Sequence, residues 1–286
     1  MARKRATRLI VPLLWASACA GMAQQSYLGF DRNDYPGDKL LPALHRHFRY
    51  TSYWLNNPPG ESANGWLGKR QILKKNGFGF LVLFNGRLDR QLKGANATQL
   101  GAADGKAAVA AARREGFAPD VLIFLDQEEG GRLLPEQTAY LFAWIDAVRA
   151  AGARPGVYCS GIEVSDDGGT ISTAQQIAIM AAARAAPSPN RKDTGARLPV
   201  WIALDQCPPA PGCTLAQPGR IILKPEEAAF IDVWQYALSP RRPQFSAQCP
   251  ANAAQDGNCY VPDLPHKAKL FVDLDTTQSP DPSEDH

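Results

Sequence analysis

Histidine is scarce in this chain, and the patterns that mark many catalytic chemistries are missing. The four histidines are His45, His47, His266 and His286. None lies in an HExxH pattern or beside a cysteine pair, so no metal site is expected. Ser160, in CSGIE, lacks the GxSxG setting of a nucleophile elbow. No GxGxxG or GxxxxGK stretch offers a phosphate cradle, and no cofactor is expected. A basic surface is missing too. The 31 basic and 28 acidic residues give a formal +3, but Arg3, Lys4, Arg5 and Arg8 supply four of the positive charges within the first eight positions. Beyond them the balance is near neutral, which argues against a nucleic-acid partner.

Long apolar runs are absent except near the start. Those four basic residues precede Leu9–Trp15 and then the small residues ASACAGMA, the layout of a secretory signal peptide over residues 1–23 with cleavage after Ala20 or Ala23. Cys19 only weakly resembles a lipoprotein site. A secreted or periplasmic protein with no membrane span is expected, and a monomer. Export permits disulfides. Cys207 and Cys213 lie in CPPAPGC, and Cys249 and Cys259 in CPANAAQDGNC, so pairing within each short loop is the economical arrangement. Cys159, in the apolar run GVYCS, reads as a buried, inert thiol.

What the chain does have is alternation. Short β-branched and aromatic runs occur at 27–30, 49–55, 78–84, 121–125, 156–160, 199–204, 231–236 and 270–274. Between most of them lie helical patterns, at 37–48, 67–76, 99–115, 135–151 and 173–185. Eight strands alternating with helices predict an α/β fold, a single (β/α)8 TIM-type barrel over residues 24–278 with two disulfide-bearing loops in its last third. The final two crossovers lack convincing helices. The tail SPDPSEDH, residues 279–286, has the composition of disorder.

Chemistry in such folds collects where parallel strands end. The fourth strand runs into FLDQEEGG, and side-chain alternation points Asp126 and Glu128 the same way, their Cα atoms about 6.5–7 Å apart. Glu129 points elsewhere. The plainer alternative is that these carboxylates cap the next helix or face solvent. The same rim is expected to hold Asp31, Trp54, Tyr158, Asp205, Gln235, Tyr236, Asp273 and Asp275, with Trp234 close to a strand end. Carboxylates, amides and rings are the parts of a carbohydrate site: proton transfer, hydroxyl recognition and stacking. Tyr158, Trp201 and Trp144 read as core residues.

GFDRNDYPG, FLDQEEGG, GVYCSG, VWQYA and VDLD together resemble, in their order, the Chalaropsis-type lysozymes of glycoside hydrolase family 25. More closely, the chain resembles their exported bacterial relatives, the glycoside-hydrolase-like domain of unknown function 1906. The resemblance spans about residues 26–277. It implies a barrel acting on peptidoglycan or a related N-acetylated envelope glycan, with Glu128 as general acid. It places Asp126 beside Glu128 to orient an acetamido group or stabilise positive charge, and adds Asp31 and Asp273 to the catalytic set. Trp54, Asp205, Trp234, Gln235 and Tyr236 are the expected substrate contacts. A second reading keeps the barrel but not the catalysis: a glycan-binding or envelope-maintenance protein.

Overall fold

The computed structural model describes residues 26–167, 169–185, 197–204, 230–238 and 261–285. The leader, Asp205 and the four loop cysteines lie outside the described residues, so the disulfide pairings do too.

The chain enters at β1 (Tyr27–Asp31), and a 3-10 turn at Asp38–Leu40 leads into the single turn α1 (Leu41–Leu44). Next come β2 (Tyr50–Trp54), α2 (Arg70–Lys75), β3 (Gly79–Asn85) and a one-turn α3 (Asp89–Leu92). The long α4 (Ala97–Arg114) begins before its apolar pattern does, because Asn96 caps it by accepting from the Gln99 N–H at 3.0 Å. Then follow β4 (Leu122–Gln127), α5 (Pro135–Ala150) and β5 (Arg154–Ser160). The hairpin β6 (Val164–Asp166) and β7 (Gly169–Ile171) was not anticipated, and it precedes α6 (Thr173–Ala185). The last strands are β8 (Val200–Ala203), β9 (Val233–Ala237) and β10 (Asp273–Thr277).

Eight of these strands close a barrel in the order β1-β10-β9-β8-β5-β4-β3-β2. Strands β2, β4 and β9 are buried along their whole length, because helices or loops cover the face turned away from the barrel interior.

The barrel departs from the expected all-parallel form at one place. β10 runs antiparallel to both β1 and β9. The physical reason lies in how strands connect. A parallel strand needs a crossover from one end of the barrel to the other, whereas an antiparallel strand can start at the rim where its predecessor ended. Described residues 261–272, which precede β10, contain no α-helix, only a 3-10 turn at Pro265–Lys267.

The reversal carries the end of the chain to the opposite, bottom face. There residues 279–285, expected to be disordered, pack instead. Ser283 is fully buried between the starts of β3 and β4. Its N–H donates to the Phe80 carbonyl, its carbonyl accepts from the Leu122 N–H, and its hydroxyl accepts from the Val82 N–H. Asp281 accepts from the Phe80 N–H at 2.9 Å. Gly79 makes room for this strap, since a Cβ there would sit 2.2 Å from the Pro280 carbonyl oxygen. A polar segment is ordered here because its groups complete the backbone bonding of two strands that have begun to diverge.

Candidate active site

The rim opposite the strap gathers carboxylates from three strands. Asp31, the last residue of β1, lies directly across from Asp273, the first residue of β10. Asp126 on β4 is flanked in register by Asn85 on β3 and Tyr158 on β5. Tyr158 is followed in register by Trp201 on β8, Ala203 by Gln235 on β9, and Gln235 by Asp275 on β10. Asp31, Asp126, Tyr158, Trp201, Gln235 and Asp275 therefore belong to one inward-facing set, and hydrogen bonds join most of them.

Tyr158 donates its hydroxyl to Gln235 Oε1 at 2.9 Å, and Gln235 Nε2 donates to Asp31 Oδ2 at 2.6 Å. The Trp201 indole N–H donates to Asp275 Oδ1 at 3.0 Å. Burial, and then the charges of Asp31, Glu128, Asp126 and Asp273, push the Tyr158 hydroxyl well above its ordinary range. Its proton is thus always present to donate.

Asp126 is 2% exposed, and neither of its oxygens receives a donor from any described residue. Burial first, then the charges of Glu128 and Asp31, hold its carboxyl well above the usual range. A carboxyl so placed keeps a proton and shares it with Glu128. Glu128 is crowded by protein on one side and open to solvent on the other. The crowding, followed by the charge of Asp273, raises Glu128 as well. Because water still reaches it, its lift is smaller than that of Asp126. The arrangement is a proton-holding pair with one buried member and one accessible member.

Glu129, the third acid of the run, turns away. It accepts from the Asp89 N–H at the start of α3 at 2.6 Å and from Gln137 Nε2 at 2.7 Å, tying two rim loops together. Sequence patterning carried no signal for that tie, nor for the amide mesh beside it. In that mesh Asn85 N–H donates to Asn56 Oδ1 at 2.7 Å, and Asn64 Nδ2 donates to the Trp54 carbonyl at 2.7 Å.

The structure does not bring every expected substrate contact to the open face. Trp54 is 3% exposed, and its indole N–H is bound to the Arg32 carbonyl. Trp234 is likewise buried, with its N–H on the Leu204 carbonyl at 3.2 Å. Tyr236 is fully buried beside the irregularity in the β9–β10 ladder. Gln235 reaches the site, but both ends of its amide are committed to Tyr158 and Asp31. Cys159 is buried and free, and burial pushes its thiol far up.

Among the described residues no group of three or more His, Cys, Asp or Glu side chains is arranged to hold a metal ion. No described helix is long and apolar enough to cross a membrane. A cavity of about 660 Å³ sits at the other end of the barrel, bounded by residues including Leu122, Arg154, Arg197, Thr277 and Asp285, and is separate from the carboxylate cluster.

Comparison with known proteins adds three observations. Residues 50–206 match the sequence model of the Rv2525c-like, glycoside hydrolase-like domain. No curated protein matches the chain. Among solved structures, an uncharacterized B. stearothermophilus protein is 18% identical, with a TM-score of 0.55 over 87% of this chain and 94% of that one. The Mycobacterium tuberculosis Tat-secreted protein Rv2525c, in complex with L-tartrate, is 14% identical, with a TM-score of 0.49 over 90% and 97%. The matching structures also include a family GH25 lysozyme from Aspergillus fumigatus, 12% identical, with a TM-score of 0.41 over 88% and 94%. At the first of these levels the likeness is one of fold.

Proposed function

The chain belongs to the family of Rv2525c-like, glycoside hydrolase-like domains, and on that premise we propose that it is an exported glycoside hydrolase acting on peptidoglycan or a related N-acetylated envelope glycan. One observation carries the reading: an accessible Glu128 stands beside a buried Asp126 whose oxygens receive no donor from any described residue. Glycosidic cleavage needs a proton delivered to the leaving oxygen and negative charge near the developing oxocarbenium ion. Glu128 is the member of the pair that a glycosidic oxygen can reach, so it is the general acid. Asp126 holds the pair's proton when Glu128 is ionised and faces the sugar as an anion when Glu128 carries it. Asp31 and Asp273, across the barrel, add negative charge on the opposite wall. Export rests on the leader pattern of residues 1–23.

A non-catalytic glycan binder is the weaker reading. Trp54, Trp234 and Tyr236, the rings on which such a binder would depend, are buried rather than offered to a ligand. The experiment is turbidity loss of purified cell walls with the wild type and Glu128→Gln. Clearing by the wild type alone is the expected result. Equal clearing by both proteins removes Glu128 from the acid role, and saturable binding without released product favours the binder.

A further inference from the structure

Asp275 is the fifth carboxyl of the cluster, and the reaction proposed above gives it no task. It is fully buried on β10, two residues below Asp273, and its register partner on β1 is Gly29. The space a side chain at Gly29 would take is filled by the Tyr50 ring, which would lie 1.9 Å from a Cβ there. Tyr50 is itself fully buried, so no water path is evident from that side.

One oxygen of Asp275 accepts from the Trp201 indole at 3.0 Å. The other is buried, and no N–H or O–H of a described residue reaches it. As an ionised carboxylate, Asp275 would leave that oxygen unsatisfied beside a second acid, an arrangement that low-dielectric surroundings disfavour strongly. As a carboxylic acid, the same oxygen becomes the donor, and Asp31 is the acceptor it faces. Asp31 already receives Gln235 Nε2 at 2.6 Å. In this orientation the amide pairs donor with acceptor at both ends, its Oε1 accepting from the Tyr158 hydroxyl and its Nε2 facing a carboxylate oxygen. Of the two acids, Asp31 lies nearer the rim and has the amide donor, so the charge belongs on Asp31 and the proton on Asp275.

We propose that Asp275 is a positioning residue, an uncharged carboxylic acid beneath the site that donates its hydrogen to Asp31 and, together with Gln235, fixes Asp31 as an aimed anion facing the Asp126–Glu128 pair. The inference rests on the reading that this pair cleaves a glycan. Its consequence for the reaction is electrostatic. A fixed charge on Asp31 is one of the influences that keep a proton on Asp126, and a mobile or neutral Asp31 would relax that hold.

The test uses the full chain and two variants. Asp275→Asn preserves size, the acceptor for Trp201 and a neutral donor toward Asp31, whereas Asp275→Leu removes acceptor and donor together. With purified peptidoglycan as substrate, the Asn variant is expected to stay within about threefold of wild type. The Leu variant should lose about tenfold to a hundredfold in kcat with little change in KM, the worth of a hydrogen bond to a charged group. Infrared difference spectra at pH 7 give a readout independent of turnover. Wild type minus Asp275→Asn should contain one protonated-carboxyl stretch. The absence of that band, an Asn variant as impaired as the Leu variant, or a fully active Leu variant each overturns the proposal. If the Leu variant does not fold, the infrared comparison and the Asn variant still decide. If the wild type leaves peptidoglycan intact, the functional reading fails, while the band still upholds or refutes a protonated Asp275.

Discussion

Replacing Glu284 by Gln should measurably loosen the barrel, although Glu284 lies outside every strand and helix, in the strap of residues 279–285. Arg70 NH2 donates to both of its oxygens, at 2.7 and 3.0 Å, and the two side chains are 8% and 12% exposed. The guanidinium also lies over the Phe117 ring at 4.7 Å and the Phe80 ring at 5.7 Å, so it cannot swing out to water without leaving an aromatic pocket. Lys74 adds a second, more exposed contact to Glu284 at 3.3 Å. Glutamine keeps one neutral hydrogen bond but leaves Arg70 as a buried cation without its counter-charge. The exchange of a charge-assisted bond for a neutral one, together with the unpaired charge, puts the loss at about 2–3 kcal/mol. For a chain of this size that corresponds to roughly 4–10 °C in melting temperature by calorimetry. Because the pair is shielded, the loss should persist in high salt, unlike that of a surface ion pair. Arg70→Met combined with Glu284→Gln should cost less than the two single losses added together, since the orphaned charge is then gone. A melting temperature for Glu284→Gln within about 1 °C of wild type would refute the reasoning, for it would mean that the strap contributes nothing to the folded barrel.

The remaining predictions concern protons and packing. Cell-wall clearing should fall as pH rises through the raised range of the Asp126–Glu128 pair, because the acid must be protonated, and a pH–rate profile that stays flat from weakly acidic to alkaline conditions would contradict that pairing. Asp281, mainly through burial, titrates at about 6 in the folded chain against 3.8 as its ordinary value. A raised folded value means that the folded state holds the proton more tightly, so the contribution of Asp281 to stability is full below about pH 4 and is lost as pH rises to about 6. Because Asp281 is partly exposed, the decline it causes is about 1–2 kcal/mol after allowance for solvent screening, and Asp281→Asn should flatten that part of a denaturant-midpoint series. Gly29→Ala should lower stability by about 1–3 kcal/mol or more, because the new methyl collides with the buried Tyr50 ring, and a melting temperature equal to wild type would refute it.

Much of the barrel was legible in the sequence because buried parallel strands announce themselves as short continuous apolar runs. β3 and β4 fall within a residue or two of where FGFLVLF and VLIFL predict them. The acids of the fourth strand were legible for a related reason, since charge is rare at the end of such a run. Strand direction is different. A strand's side-chain pattern reads alike in either direction, so LFVDL could not declare that β10 runs downward. The available clue was indirect, in the lack of a helical sequence pattern before it. The tail misled because composition reports on side chains, whereas Ser283 and Asp281 are held mainly through backbone groups of β3 and β4. Trp54 and Trp234 misled because nearness to a strand end does not fix which way a ring points. An indole whose N–H finds a carbonyl is easily buried.

The direction of β10 also decides the chemistry of the two acids it carries. Had the strand run parallel to its neighbours, Asp275 would stand outermost on the rim and Asp273 would lie below it. Reversal exchanges them. Asp273 opens the strand opposite Asp31, partly exposed, where a negative charge can be kept and felt by Glu128. Asp275 is drawn inward, level with Gly29, where Trp201 can satisfy one oxygen and the other must carry a hydrogen. From an Asp-Leu-Asp run the fold thus obtains one charged acid and one neutral acid, with no difference in residue type to distinguish them. Desolvation and the neighbouring charge on Asp31 make the distinction, as desolvation, Glu128 and then Asp31 raise Asp126 across the barrel. The barrel's acidic centre is therefore best understood as two proton-sharing pairs, Asp31 with Asp275 and Glu128 with Asp126, each with its proton on the deeper member at rest. In the pair that faces solvent more openly, the shallower member, Glu128, is the one that can pass that proton outward.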